Sequence, residues 1–110
     1  PDRYRSRNFY HHNPQVTLMR TTADECTQLG EILTEKTNAY TAATAILLPL
    51  KAISVISAAG QPFHDEVADK ALFGAIKNNS THPVIEIEQE INSPEFARAC
   101  AEKLMELMQR

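Results

Sequence analysis

Two short stretches of the sequence place polar side chains where a small molecule could bind. The first is Arg20-Thr21-Thr22, directly before a predicted helix. Unpaired amides and the positive end of the dipole attract anions to a helix start, and an arginine with two hydroxyls would add hydrogen-bond donors. The pattern therefore predicts an anion site. The alternative is an ordinary capped helix whose arginine is solvated.

The second stretch covers residues 60–65 and reads Gly-Gln-Pro-Phe-His-Asp. Glycine permits a tight backbone, proline stiffens it, and Phe63 can anchor the loop in the core. His64 beside Asp65 could form an acid-base pair. The alternative is a rigid turn in which Asp65 caps the next helix.

The sequence gives little indication of a metal site, a serine nucleophile or a known phosphate-binding loop. His11 and His12 are adjacent, so on a strand they point to opposite faces, and no third metal ligand is suitably spaced. Ser54 and Ser57 lack a nucleophile-elbow sequence, and neither a Walker loop nor a Gly-x-Gly-x-x-Gly string occurs. We therefore expect no metal site, assign no catalytic residue and find no cofactor evident from the residues alone. The candidate ligand-binding residues are His12, Asn13, Arg20, Thr21, Thr22, Ser54, Gly60, Gln61, Phe63, His64 and Asp65.

Three predicted β-α units position these candidates. Apolar runs alternate with amphipathic segments, which predicts parallel strands joined by right-handed helical crossovers. The predicted strands cover residues 8–12, 43–48 and 84–88, and the predicted helices cover residues 22–38 and 65–78 and begin again at residue 93. The expected fold class is α/β, a parallel sheet forming half of a Rossmann-like or flavodoxin-like domain. Ligands of such sheets bind beyond the carboxyl ends of the strands, where the loops between the units should meet.

Each predicted helix carries an apolar stripe that should be buried. Gly30 lies inside the first helix at a cost of about 1 kcal/mol relative to alanine, which predicts close packing there. The stripes comprise Cys26, Leu29, Ile32 and Leu33 in the first helix, Val67, Ala71, Leu72, Ala75 and Ile76 in the second, and Phe96, Cys100, Leu104, Leu107 and Met108 in the third.

Length and composition limit the kind of protein. The 110 residues suffice for a single α/β segment spanning the whole chain, with 43% hydrophobic residues and a net charge of -3. The absence of a basic cluster argues against direct nucleic-acid binding. Two cysteines in helical patterns, no signal peptide and no uninterrupted apolar run of about 20 residues predict a cytoplasmic protein without a membrane partner. Because the second strand needs cover on both faces, we expect further strands upstream, in a larger protein. We also expect a homo-oligomer.

Several strings together resemble the Tm-one-like family, named after a plant inhibitor of tobamovirus RNA replication. They are residues 12–22, 48–50 and 60–65, with Ala68-Asp69, residues 71–73 and Ile91-Asn92, and the resemblance covers nearly the whole chain. It implies two α/β domains in about 400 residues, with this chain at the end of the second domain and the N-terminal remainder as its partner. It also implies ATP as a possible ligand, and it assigns no catalytic residue.

Three functional hypotheses follow. The first is a domain that binds a nucleotide or a phosphorylated small molecule. The second is a protein-interaction or assembly module that uses the exposed edge expected for the third strand, with the acidic Glu86, Glu88 and Glu90. The third is a hydrolase or isomerase fragment that uses His64 and Asp65.

Overall fold

A computed structural model describes residues 2–13 and 15–109, with the side chains of His12, Asn13 and Val16 excepted. It is a mixed α/β structure with a small parallel sheet, as predicted. In chain order the elements are a 3₁₀ turn at Asp2–Tyr4, β1 (Phe9–Asn13), β2 (Val16–Met19), α1 (Ala23–Asn38), β3 (Ile46–Pro49), a 3₁₀ turn at Val55–Ser57, α2 (Glu66–Asn79), β4 (Val84–Ile87) and α3 (Pro94–Met108).

The parallel sheet consists of β3 and β4. Leu48 of β3 lies opposite Glu86 of β4, and its side chain packs with Phe73 and Ile76 of α2 in the buried core. The alternate residue Leu47 lines a hollow that α3 borders on the other face. Helices on both faces explain why the β3 run is apolar without alternation.

The first predicted unit differs from expectation. The prediction that its strand joins the parallel sheet is wrong, because β1 pairs antiparallel with β2, with Tyr10 opposite Leu18. Only two residues separate Asn13 from Val16, and a connection that short can join antiparallel but not parallel strands. The connection between β3 and α2 contains the 3₁₀ turn at Val55–Ser57.

Side-chain caps set the helix starts as the sequence predicted. The Thr22 hydroxyl accepts from the Glu25 amide at 3.2 Å, and the Glu25 carboxylate accepts from the Thr22 amide at 3.0 Å, completing a capping box. That amide hydrogen bond and the Arg7 guanidinium together hold the pKa of Glu25 below its ordinary value. The Asp65 carboxylate accepts from Ala68 at the start of α2, and Ser93 caps α3.

The close packing predicted at Gly30 is confirmed. A Cβ atom at this position would lie 2.7 Å from the Cβ of Ala75 and 3.0 Å from the carbonyl oxygen of Leu72. Gly30 therefore lets the backbone of α1 approach α2 directly.

The predicted apolar stripes are only partly buried. Helix α1 buries Cys26, Gly30 and Thr34, which follow one another at four-residue spacing, because this row of small residues permits the close approach to α2. Larger side chains turn outward as a result. The predicted core residues that are exposed are Leu29, Ile32 and Leu33 of α1, Val67 of α2, and Cys100, Leu104 and Met108 of α3, which buries Phe96 alone. Among the described helices, none is both long and apolar enough to cross a membrane.

Candidate functional site

A groove with a volume of about 970 Å³ runs along α2 from Glu66 to Lys77 and reaches the edge of the sheet where β3 and β4 end. This is the edge at which α/β sheets bind ligands. We call it the α2 groove. Its lining comprises Glu66, Asp69, Lys70, Phe73, Gly74 and Lys77 of α2, Leu50, Lys51, Ala58, Ala59, Gln61 and His64 after β3, and Glu86 and Glu90 from β4 and beyond.

Helix α2 forms one wall of the groove, the helix wall, because two rows of its side chains face the groove. Residues at four-residue spacing stack on one face of a helix, which brings Glu66, Lys70 and Gly74 into line. The buried Phe73 lies in the next row and joins the core cluster. Gly74 has no atom within 4 Å of the position that a Cβ would occupy, so the groove is open above it.

The groove contains both paired and unpaired charges. Lys77 contacts the Glu86 carboxylate at 2.7 Å, and Asp69 pairs with the guanidinium of Arg20 behind the groove. Over the described part of the chain, Lys51 and Lys70 form no ion pair. Two positive charges are therefore free to meet a ligand.

Asp69 lies between the groove and the buried Arg20. The carboxylate oxygen is 2.5 Å from Nη2 of Arg20, and only about a tenth of the Asp69 side chain is exposed. Burial raises the pKa of Asp69 above its ordinary value, against the opposing effect of the Arg20 charge and hydrogen bond. The α2 wall of the groove therefore includes one partner of a buried ion pair.

The segment between β3 and α2 forms the second wall of the groove, the loop wall, with Ala58, Ala59, Gln61 and His64. This segment contacts the β1–β2 hairpin. Phe63 is buried and meets the Tyr10 ring edge-on, with the ring centroids 6.2 Å apart. The Asn8 amide donates to the carbonyl of Pro62 at 3.0 Å. The same loop turns at Gly60, whose φ of +82° favours glycine. Phe63 therefore anchors the loop, as the sequence predicted.

The first candidate stretch lies behind the groove and does not line it. Arg20 is only 5% exposed, so the alternative of a solvated arginine is wrong. Its guanidinium donates to the carbonyl of Phe63 at 3.0 Å, to the hydroxyl of Thr21 at 2.9 Å and to Asp69. Thr22 caps α1. An anion site at this helix start stays a prediction.

The second stretch supplies Gln61 and His64 to the groove. The turn interpretation of Asp65 is confirmed, because its carboxylate accepts from the Ala68 amide and caps α2. Nδ1 of His64 lies 3.3 Å from the carbonyl oxygen of Ser57, so the histidine is oriented by the loop and not by Asp65. The hydroxyl of Ser54, the residue before the 3₁₀ turn, lies 3.2 Å from that of Ser57.

The side chains of His12 and Asn13 lie outside the described part of the chain. Among the side chains that the structure describes, no three from histidine, cysteine, aspartate or glutamate are grouped so that they could hold a metal ion. Both cysteines are free thiols.

Among the groove residues that sequence reasoning missed are Lys51 after β3 and Asp69, Lys70 and Gly74 of α2. The lysines resemble ordinary solvated charges, and only their position relative to the sheet edge distinguishes them. The glycine carried a signal, because a glycine inside a helical pattern is costly without a packing or functional reason.

Comparison with known proteins identifies the family. The sequence model of the uncharacterised protein family UPF0261, C-terminal domain, matches residues 1–108. A UPF0261 protein of Clostridium tetani is 41% identical over 113 residues, which cover 100% of this chain and 28% of that protein. A UPF0261 protein of Mesorhizobium japonicum is 44% identical over 105 residues, covering 92% of this chain and 26% of that protein.

The plant resemblance is real but weaker. The ToMV resistance protein Tm-1(GCR237) of Solanum lycopersicum is 32% identical over 111 residues, which cover 97% of this chain and 15% of that protein. The identification as Tm-one-like therefore holds only at the level of a distant relationship, since the bacterial relatives match at higher identity. The chain spans roughly a quarter of the length of those bacterial relatives, 28% and 26% in the two cases. It belongs to the UPF0261 family and corresponds to the family's C-terminal domain.

Proposed function

We propose that the α2 groove binds a nucleotide or another phosphorylated small molecule. The observation that carries this proposal is a groove of about 970 Å³, at the carboxyl edge of the parallel strands, that contains two lysines without an acidic partner. Small-molecule sites usually measure about 300–1,000 Å³. The volume therefore suits a ligand of nucleotide size.

The charges of the groove favour a ligand with an anionic part and a polar part. Of its four carboxylates, Asp69 and Glu86 are paired with Arg20 and Lys77, and Glu66 lies 3.9 Å from Nε2 of His64. Lys51 and Lys70 are then available to a phosphate, to which lysine binds as a point charge. The carboxylate of Glu90 could accept hydrogen bonds from hydroxyl or amino groups elsewhere on the ligand.

Gly74 supports the same proposal. A glycine in a helix interior costs about 1 kcal/mol relative to alanine, and no protein atom within 4 Å of its missing Cβ accounts for it. A ligand lying against the helix would need that space. ATP is a suitable first probe, because the Tm-one-like resemblance implies it and the two free lysines could meet its phosphates.

Calorimetry on the full-length protein tests the proposal. In the double variant Lys51→Ala/Lys70→Ala we expect ATP to bind at least about tenfold more weakly, because each charge-assisted hydrogen bond contributes about 1.5–3 kcal/mol. Lys36→Ala serves as the control, since Lys36 is an exposed lysine near the end of α1 and does not line the groove. Equal ATP affinity in the wild type, the double variant and the control would rule out binding at this groove.

A second proposed role concerns assembly, and exposed apolar side chains support it. Leu29 and Ile32 of α1 are each 48% exposed, and Leu104, Met105 and Met108 of α3 are more exposed still. The family relatives are about four times as long as this chain. We propose that these faces pack against the remainder of the full-length polypeptide.

Substituting one of these side chains tests the assembly role. In the full-length protein, Leu29→Glu should lower the melting temperature by several degrees, because a charge would enter an apolar interface. Gln28→Glu adds the same charge to the exposed neighbouring position and should change it little. Equal effects of the two substitutions would contradict the assembly proposal, and sedimentation of the same variants tests the predicted homo-oligomer.

A further inference from the structure

We infer that Arg20 is a positioning residue that ties the loop wall of the α2 groove to its helix wall. The inference rests on the proposed binding function for its consequence, whereas its structural test needs no ligand. Arg20 itself does not line the groove. It would therefore act on a ligand only through the groove walls.

The contacts of the Arg20 guanidinium span the two walls. Nε donates at 3.0 Å to the carbonyl oxygen of Phe63, which lies between the loop-wall residues Gln61 and His64. Nη2 donates to the carboxylate of Asp69 in the helix wall at 2.5 Å. Both bonds are buried, where a charged hydrogen bond is stronger than in water. One planar group thus fixes the two walls at a set spacing.

The backbone of Arg20 is held in turn by the segment that precedes the hairpin. Its amide donates to the carbonyl of Asn8 at 2.8 Å, and the Arg7 guanidinium donates to its carbonyl at 2.8 Å. The Asn8 side chain also donates to the carbonyl of Pro62. Asn8 and Arg20 therefore hold the loop through hydrogen bonds to the neighbouring carbonyl oxygens of Pro62 and Phe63.

The loop's own contacts with α2 are local ones at the helix start, where the Asp65 carboxylate accepts from the Ala68 amide and Nε2 of His64 lies 3.9 Å from the Glu66 carboxylate. The Phe63 amide donates to the carbonyl of Ile56 at 2.7 Å, and the Gln61 amide donates to that of Ala58 at 2.9 Å. Both are local to the segment between β3 and α2. The Arg20 bridge therefore supplies a tertiary restraint, and its loss should loosen the loop before it loosens α2.

Hydrogen exchange of the full-length protein, without ligand, tests the positioning role. Arg20→Lys keeps a charge for Asp69 but cannot present the fork that also reaches Phe63. We expect the amides of Phe63 and His64 to exchange about tenfold faster than in the wild type, with the amides of residues 72–76 in α2 changed less than about twofold. Arg5→Lys, at an exposed arginine paired with Asp2, is the matched control and should change neither.

An equal rise in the exchange rates of the loop and α2 amides would overturn the inference, because Arg20 would then contribute only to general stability. An unchanged exchange rate of the loop amides would also overturn it. If Arg20→Lys does not fold, Asn8→Ala replaces it. That variant removes one bond to the loop and should speed loop exchange to a smaller extent, again without an effect on α2; no effect on the loop would also overturn the inference.

ATP titration separates this inference from the proposed function. If ATP binds the wild type, Arg20→Lys should bind it more weakly although no ligand contact is removed, and an unchanged affinity would overturn the consequence for binding. If ATP does not bind the wild type but the loop amides of Arg20→Lys exchange faster as expected, the proposed function is contradicted and the positioning role is supported.

Discussion

Asp69→Ala should lower the free energy of unfolding by about 3–5 kcal/mol, because it leaves the buried guanidinium of Arg20 without its counter-charge. The two side chains are 10% and 5% exposed, so water can replace little of the lost interaction. The hydrogen bond from Arg20 to the Phe63 carbonyl would remain, but it does not neutralise the charge.

Urea unfolding of the full-length protein measures this effect. Asp2→Ala is the matched control, because Asp2 also pairs with an arginine but is 93% exposed, and surface pairs contribute at most about 1 kcal/mol. Similar losses at the two positions would show that the Arg20–Asp69 pair is not buried in solution. A double variant, Arg20→Met/Asp69→Leu, should be less destabilised than the sum of the single losses, since it leaves no unpaired charge.

Gly30→Ala should lower the free energy of unfolding by about 1–2 kcal/mol, because overpacking costs about 1–3 kcal/mol, near the upper end for a contact this close, and alanine recovers about 1 kcal/mol of helix propensity. The new Cβ would lie 2.7 Å from the Cβ of Ala75 and 3.0 Å from a backbone oxygen of α2, and neither atom can move without shifting a helix. This cost exceeds the gain of about 1 kcal/mol that alanine brings to a helix interior.

Gly74→Ala is the internal control for that prediction. It is the same substitution in a neighbouring helix, but nothing lies within 4 Å of the new Cβ. The helix-propensity gain should therefore stand alone and raise stability by about 0.5–1 kcal/mol. Thermal unfolding of both variants should show shifts of opposite sign, and shifts of the same sign would contradict the packing of α1 on α2.

Local signals in the sequence predicted most element boundaries. The caps Thr22, Asp65 and Ser93 each mark a helix start within a residue, because a side chain that accepts from a helix amide is a local interaction. The parallel pairing of β3 with β4 also followed from local patterns. The hairpin did not, because the pattern gave β1 a place in a sheet but could not choose its partner.

Tertiary packing decided what the sequence pattern left open. In α1 the large aliphatic residues suggested the buried face, yet the helix packs through its small residues, Gly30 and Thr34, and turns Leu29 and Ile32 outward. The periodicity was helical, but the larger apolar residues did not mark the side that meets α2.

The candidate site was predicted in part. The loop of residues 60–65 does contribute Gln61 and His64 to a groove at the sheet edge. Arg20 was selected because it precedes a helix, and its burial against Asp69, 49 residues later in the chain, depends on tertiary contacts that no local pattern reports.

A thermal shift with ATP, in the full-length protein and its Gly74→Leu variant, tests whether the α2 groove binds a phosphorylated ligand. Leucine is a good helix former and position 74 is open, so the variant should fold while its side chain fills the groove. At a hundredfold excess over its dissociation constant, ATP should stabilise the wild type by about 2.7 kcal/mol and the variant by much less. An equal shift in both proteins would place the ligand elsewhere, and no shift in the wild type would contradict ATP binding at the groove.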